Sequence, residues 1–237
     1  MIAIIPMAGR GSRFSGQGYE MPKPLIPVAG KPMVVWALKS LEGLQLSKII
    51  FILLREHEEQ YNVIEMLRRH TKVETGFYLL DDITQGQLCT VLCAKDEIDG
   101  DEDVLIAASD TWVENNLQDD INRSLVDGLI SVYQLPGDHW SFARVNEKEE
   151  VVEVAEKKRI SDWASTGLYY FSRGSTLVAL GKDMIDREEK TRGEYYVIPV
   201  YQKMIEAGLK VGISRANAMW DMGTPAAKEM FEKKYPR

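Results

Sequence analysis

Residues 1–14, MIAIIPMAGRGSRF, begin with an apolar run and then break into Gly9 and Gly11. A buried strand hands a loop to a phosphate in this way, because glycine lets backbone N–H groups approach an anion closely. Residues 22–33, PKPLIPVAGKPM, follow after a short gap and open an amphipathic segment, PMVVWALKSLEGL, whose Pro32 suits a first helical turn. Working outward, KIIFILL reads as a buried strand and ETGFYLL and DVLIAAS as further strands, with helices EEQYNVIEMLRRH and GQLCTVLCAKDEI between them. Continuous apolar strands alternating with helices predict an α/β protein. The expected core is a Rossmann-like, three-layer α/β/α arrangement around a mostly parallel sheet.

The middle of the chain changes character. Between residues 128 and 171, LISVYQL, FARVN, VVEVAEK and STGLYYF succeed one another without long helices, so a small β-rich insertion and a mixed sheet are expected. Helices around STLVALGKDMI and EYYVIPVYQKMIEAGL, a strand LKVGIS and a helix after GTP follow. No repeat or low-complexity linker divides the 237 residues, which at 45% apolar content read as one domain.

Composition excludes several partners. A formal charge of -7 argues against nucleic acid, and no apolar stretch reaches the roughly 20 residues of a membrane span. Without a secretory leader, the expectation is a cytoplasmic protein. Cys89 and Cys93 lie four apart in a predicted helix and read as reduced core thiols. His57, His70 and His139 are scattered, and no Ser/His/Asp or Cys/His arrangement accompanies them.

The glycine loop fits neither common explanation. A dinucleotide-binding fingerprint continues to a third glycine and places an acid about 20 residues on. Here Phe14 follows the loop, and no Asp or Glu lies between Glu20 and Glu42. A phosphate loop of the Walker type needs Gly-Lys-Ser/Thr, which GRGSRF lacks. Residues 1–40 do hold Arg10, Arg13, Lys23, Lys31 and Lys39 against the single acid Glu20. Amides freed by Gly9 and Gly11, with Arg13 beside them, would form a nest for a polyphosphate. Pro22 and Pro24 restrict the backbone on both sides of Lys23 and so fix where its ammonium points.

G-x-G-x-R, then eight residues, then PKP, resembles the signature of the sugar-nucleotide pyrophosphorylases, or nucleotidyltransferases, such as glucose-1-phosphate thymidylyltransferase and phosphocholine cytidylyltransferase. The opening is especially similar to members found with bacterial capsule and surface-polysaccharide genes. The resemblance runs from Ile2 to about Phe231 and implies the nucleotide-diphospho-sugar transferase fold. Residues 1–127 would mainly bind nucleotide and residues 128–237 mainly the acceptor.

The resemblance implies roles residue by residue. Arg13 and Lys23 would be catalytic, and Met7, Ala8, Gly9, Gly11 and Ser12 would line the nucleotide. Asp110 in LIAASDTW and Asp221 in MWDMGTP would jointly hold Mg2+. Gln85, Gly86 and Gln87 match the segment that reads the nucleobase. Glu156 and Lys157 match an acid and a lysine that hold the second substrate. Thr166 and Gly167 match a small pair on which a sugar rests, and Glu194 matches a further acceptor contact, though its spacing departs from the pattern.

The implied reaction joins an NTP, whether CTP, UTP or dTTP, to a phosphorylated small metabolite and releases pyrophosphate; cytidylyl transfer is favoured. The acceptor could be a sugar 1-phosphate or a non-sugar phosphate. Oligomeric state stays open, a homodimer included. Two other classes were weighed: a glycosyltransferase, for which SDTW supplies only one acid of the usual Asp-x-Asp, and a non-catalytic sensor, which should have lost Lys23 or a metal carboxylate.

Overall fold

The computed structural model describes residues 1–235. In chain order, β1 (Ile2–Pro6) passes through the glycine loop into α1 (Ser12–Ser15) and a 3-10 turn at Lys23–Leu25. The hairpin β2 (Pro27–Val28) and β3 (Lys31–Pro32) leads to α2 (Met33–Leu38), then β4 (Lys48–Leu54), α3 (Arg55–Tyr61), α4 (Val63–Arg69) and β5 (Glu74–Leu80). Next come α5 (Gln87–Leu92), α6 (Lys95–Ile98), β6 (Val104–Ala107), β7 (Thr111–Glu114) and α7 (Leu117–Arg123). The β-rich stretch is β8 (Gly128–Gln134), β9 (Ser141–Val145), β10 (Val151–Glu156) and β11 (Trp163–Phe171). The chain closes with α8 (Gly174–Asp186), α9 (Ile198–Glu206), β12 (Val211–Arg215), β13 (Ala218–Asp221) and α10 (Pro225–Lys234).

One nine-stranded sheet organises these elements, ordered β10-β9-β11-β6-β1-β4-β5, with β8 pairing both β11 and β12. The expected mixed, mostly parallel sheet is present. β6, β1, β4 and β5 are mutually parallel, β12 runs parallel to β8, and β11 and β10 run against the other strands. Alternate residues of one strand enter opposite core layers: Ile50 and Ile52 pack on one face, and Ile49, Phe51 and Leu53 on the other. That is why KIIFILL is apolar throughout. α5, α8 and α9 cover the first face, and α2, α4 and α7 the second. Each fully buried aliphatic side chain contributes roughly 1.5–3 kcal/mol.

Local chemistry moved several boundaries. The predicted helix after β4 breaks at Asn62, which adopts φ 49, a left-handed conformation that asparagine tolerates. Pro32 stands outside α2 as its N-cap rather than in its first turn. The helix after β5 breaks after Leu92, which leaves Cys93 exposed and Cys89 half-buried, so Cys93 is not the core thiol expected. Tyr195 and Tyr196 precede α9, and the helix starts only at Ile198. Among the described residues no helix is long and apolar enough to cross a membrane.

No residue pattern announces β7 and β13, which form a two-stranded antiparallel ribbon off the main sheet. Its register pairs Thr111 with Asp221.

Candidate active site

The glycine loop follows β1 at the carboxyl ends of the parallel strands, where open α/β sheets bind ligands. Gly11 has φ 61, and a Cβ there would come within 2.7 Å of Lys23 Cβ. Glycine is needed at position 11 on both counts, and the PKP segment therefore packs directly against the loop. Among the described residues no group accepts a hydrogen bond from the amides of Gly9, Arg10, Gly11 or Ser12, which leaves those donors for an anion. Phe14, standing where a dinucleotide loop has its third glycine, is buried with Ile26, Val28, Met33, Trp36, Met222 and Phe231. That cluster ties the loop to the residue beside Asp221.

Lys23 Nζ donates to Asp110 Oδ2 at 2.5 Å, with both side chains partly buried. Asp110 lies between β6 and β7, and its carbonyl accepts from Met222 N at 2.9 Å. Asp221 Oδ1 accepts from Gly223 N at 2.9 Å. A Cβ on Gly223 would sit 2.7 Å from Asp110 Oδ2 and 3.0 Å from Asp221 Oδ1, so one glycine-sized gap separates the two carboxylates. Burial works against charge on Asp110, but the Lys23 ammonium outweighs it and holds that carboxyl below its ordinary range. Burial, then the Asp110 charge, pushes Asp221 up to about 6. Two hard oxygen donors facing one gap fit a small divalent cation that keeps several waters, as magnesium does; among the described residues no third His, Cys, Asp or Glu joins them.

A cavity of about 820 Å3 opens in front of Asp110. Ala8, Gly9, Gly11, Ser12 and Lys23 form one wall, and Gln85, Gly86 and Gln87 form the facing one. Gly86 is held against Tyr195: Tyr195 N donates to Gln85 O at 3.0 Å, and Leu88 N to Tyr195 O at 3.0 Å. With φ 137 and its Cβ position filled by Tyr195 backbone, Gly86 is required by this crossing, and it also caps α5, its carbonyl accepting from Thr90 N at 3.1 Å. Met7 differs from expectation. Its amide is already spent on Ile52 O at 2.8 Å, and its side chain lies in the core.

Of the residues expected to hold the acceptor, Glu194 lines the cavity, beside Tyr196, whereas Glu156 and Lys157 do not. Lys157 Nζ donates to Tyr196 Oη and lies 4.4 Å from that ring's centroid. Its carbonyl accepts from Arg192 Nη2 at 3.0 Å. Burial raises the Glu156 carboxyl above its ordinary range, helped by the Glu194 charge and opposed by the Ser141 hydroxyl, which donates to it.

Thr166 and Gly167 are placed elsewhere. Thr166 is 1% exposed and its hydroxyl donates to Ser131 at 2.8 Å. Gly167, at φ 87, does not line the cavity but packs against Ala108, which does: its Cβ would lie 2.8 Å from Ala108 Cβ. This is where β11 breaks register and changes neighbour from β9 to β6, so the glycine is needed by the sheet. Arg13 is exposed and off the cavity wall, and its charge acts on Asp221.

Sequence reasoning gave Arg10 no role beyond its charge and missed Thr84, Thr90, Ser109 and Tyr196, all on the wall. Arg10 and Tyr196 each adjoin a position already singled out. The two threonines gave no signal, because their hydroxyls bond locally to each other and to Gly86 O.

A family model described as nucleotidyl transferase matches residues 2–235, and the chain belongs to that family. A bifunctional protein GlmU from Methanococcus maripaludis is 26% identical over 95% of this chain, and the chain spans about half, 52%, of that relative's length. The AglF protein of Haloferax volcanii, a UTP–glucose-1-phosphate uridylyltransferase, is 23% identical over 99% of this chain and 96% of its own. The solved nucleoside-diphosphate-sugar pyrophosphorylase of Vibrio cholerae RC9 superposes with a TM-score of 0.87 at 29% identity, covering 98% of this chain and 100% of that one.

Proposed function

We propose that the chain transfers a nucleotidyl group from a pyrimidine NTP, CTP before UTP or dTTP, to the phosphate of a small metabolite, releasing pyrophosphate. One observation carries this reading: Lys23 bonded to Asp110 on the wall of a cavity lined by the glycine loop, with Asp221 across Gly223 from Asp110. The acceptor is a sugar 1-phosphate or a similar phosphorylated metabolite. The preference for CTP and a role in surface-polysaccharide assembly rest on the resemblance of the opening motif.

The loop amides hold the departing phosphates, with Arg13 adding positive charge from off the cavity wall, while Lys23 offsets charge on the α-phosphoryl oxygens. Asp110 and Asp221 would hold magnesium, which when bound supplies further charge neutralisation to those oxygens. The Gln85–Gln87 wall orients the base, and Glu156, Lys157, Glu194 and Tyr196 orient the acceptor. No general base is required, because a phosphomonoester with a second pKa near 6 is mostly ionised at pH 7. The acceptor phosphate oxygen attacks the α-phosphorus, and the bond to the β-phosphate oxygen breaks. The test is pyrophosphate release with five NTPs crossed against sugar and non-sugar monophosphates, with and without EDTA. Release with no pairing, or release with a purine NTP alone, would count against the proposal.

A further inference from the structure

The loop carries two arginines, and they face different acids. Arg13 acts on Asp221. Arg10 Nη2 bonds Asp82 Oδ1 at 3.2 Å, joining the phosphate-loop wall to the segment that enters the base wall, 72 residues away. Arg10 lines the main cavity and also a smaller one, of about 170 Å3, beside α3.

We propose that Arg10 binds the β- and γ-phosphates of the incoming NTP, and that Asp82 is a resting counter-ion which a triphosphate displaces more readily than a di- or monophosphate. Asp82 thereby makes the site discriminate against nucleoside di- and monophosphates. The inference rests on the nucleotidyl-transfer reading and deepens it.

The energetics favour exchange. The Arg10 and Asp82 side chains are 69% and 75% exposed, and such a pair is worth at most about 1 kcal/mol. A guanidinium on phosphate makes stronger, charge-assisted and often bidentate bonds. Asp82 is not orphaned when Arg10 leaves, since Ile83 N also donates to its Oδ1 at 2.7 Å. A nucleotide without the outer phosphates presents less charge to Arg10 and leaves the pair closed. The neighbouring Arg55–Asp81 pair, at 2.6 Å on the same segment but off the cavity wall, is a built-in control.

The experiment is calorimetric binding with magnesium present, using CTP, UTP and dTTP and then the di- and monophosphates of whichever base binds best. Arg10→Ala should weaken the triphosphate about tenfold and the monophosphate by less than about twofold. Asp82→Asn should tighten the di- and monophosphates about threefold, and should do nothing further once Arg10 is alanine. Arg55→Ala should change none of these. Equal weakening of all three nucleotides by Arg10→Ala, or an Asp82→Asn effect that persists without Arg10, overturns the inference alone. Wild type that binds none of the triphosphates overturns the nucleotide reading and the inference together. Melting temperatures close to wild type establish that these surface variants are folded.

Discussion

The end of the cavity that we assign to the nucleotide and the end that we assign to the acceptor are built differently. At the nucleotide end position is set by backbone: Gly11 against Lys23, Gly86 against Tyr195 and Gly223 against Asp110 each leave no room for a Cβ. At the acceptor end position is set by side chains bonded to one another, Lys157 to Tyr196, Ser141 to Glu156 and Arg192 to the Lys157 carbonyl. Backbone contacts fix the phosphate chemistry within tight limits, whereas paired side chains can be exchanged without rebuilding the sheet. The acceptor end is therefore where a change of substrate costs the fold least.

The largest expected effect tests the rigid end. Lys23→Ala should lower kcat on the order of 10²-fold or more, by loss of one preorganised positive group. Turnover within a few-fold of wild type would remove Lys23 from the chemistry. Gly223→Ala comes next, because its methyl must push apart the Asp110 and Asp221 carboxylates. A tenfold or larger drop in kcat, on the order of 1.4 kcal/mol in barrier, is expected together with a raised magnesium requirement. An unchanged magnesium titration would mean that the gap between the carboxylates holds no ion.

Glu156→Gln probes the adaptable end. The acceptor KM should rise by about tenfold with kcat changed less, the mark of lost binding common to ground and transition states. Stability should move the other way. The Glu156 carboxyl binds its proton more tightly folded than unfolded, so its contribution to stability is complete below the ordinary carboxylate pKa and lost as pH rises through the raised one. At pH 7 the glutamine variant should melt a few degrees higher, and the gap should close as pH falls toward about 4. A variant that melts lower at pH 7 would show that Glu156 is stabilised by its partners rather than strained by burial.

The same division explains what could be read from the sequence. KIIFILL gave its strand to the residue because burial on both faces leaves an unbroken apolar run, whereas ETGFYLL matches β5 as a half-buried strand at the sheet edge. The glycine loop and PKP were legible because glycine and proline restrict backbone in ways that spacing alone reveals. The ribbon of β7 and β13 was not legible: AMWD and TWVE are four residues each, separated by more than a hundred positions. Only the resemblance to a family joined Asp110 to Asp221, and only the ribbon shows how they meet. The pairings at the acceptor end escaped for a related reason. Contacts such as Lys157 with Tyr196 depend on which rotamer reaches which neighbour, and sequence pattern carries no record of that.

Thr166 gives the smallest effect and the sharpest division between the two ends. Its position in STGLYYF resembles an acceptor contact, yet its hydroxyl points into the core at Ser131. Thr166→Val keeps the shape and the β preference of the residue while removing that hydrogen bond, which should lower stability by about 1 kcal/mol. The acceptor KM should stay within about twofold of wild type, since no atom of the cavity wall is lost. A KM raised fivefold at unchanged melting temperature would reverse this assignment. It would mean that β11 opens at its Thr166–Gly167 irregularity when the acceptor binds, and that part of the acceptor end, like the nucleotide end, is built from backbone.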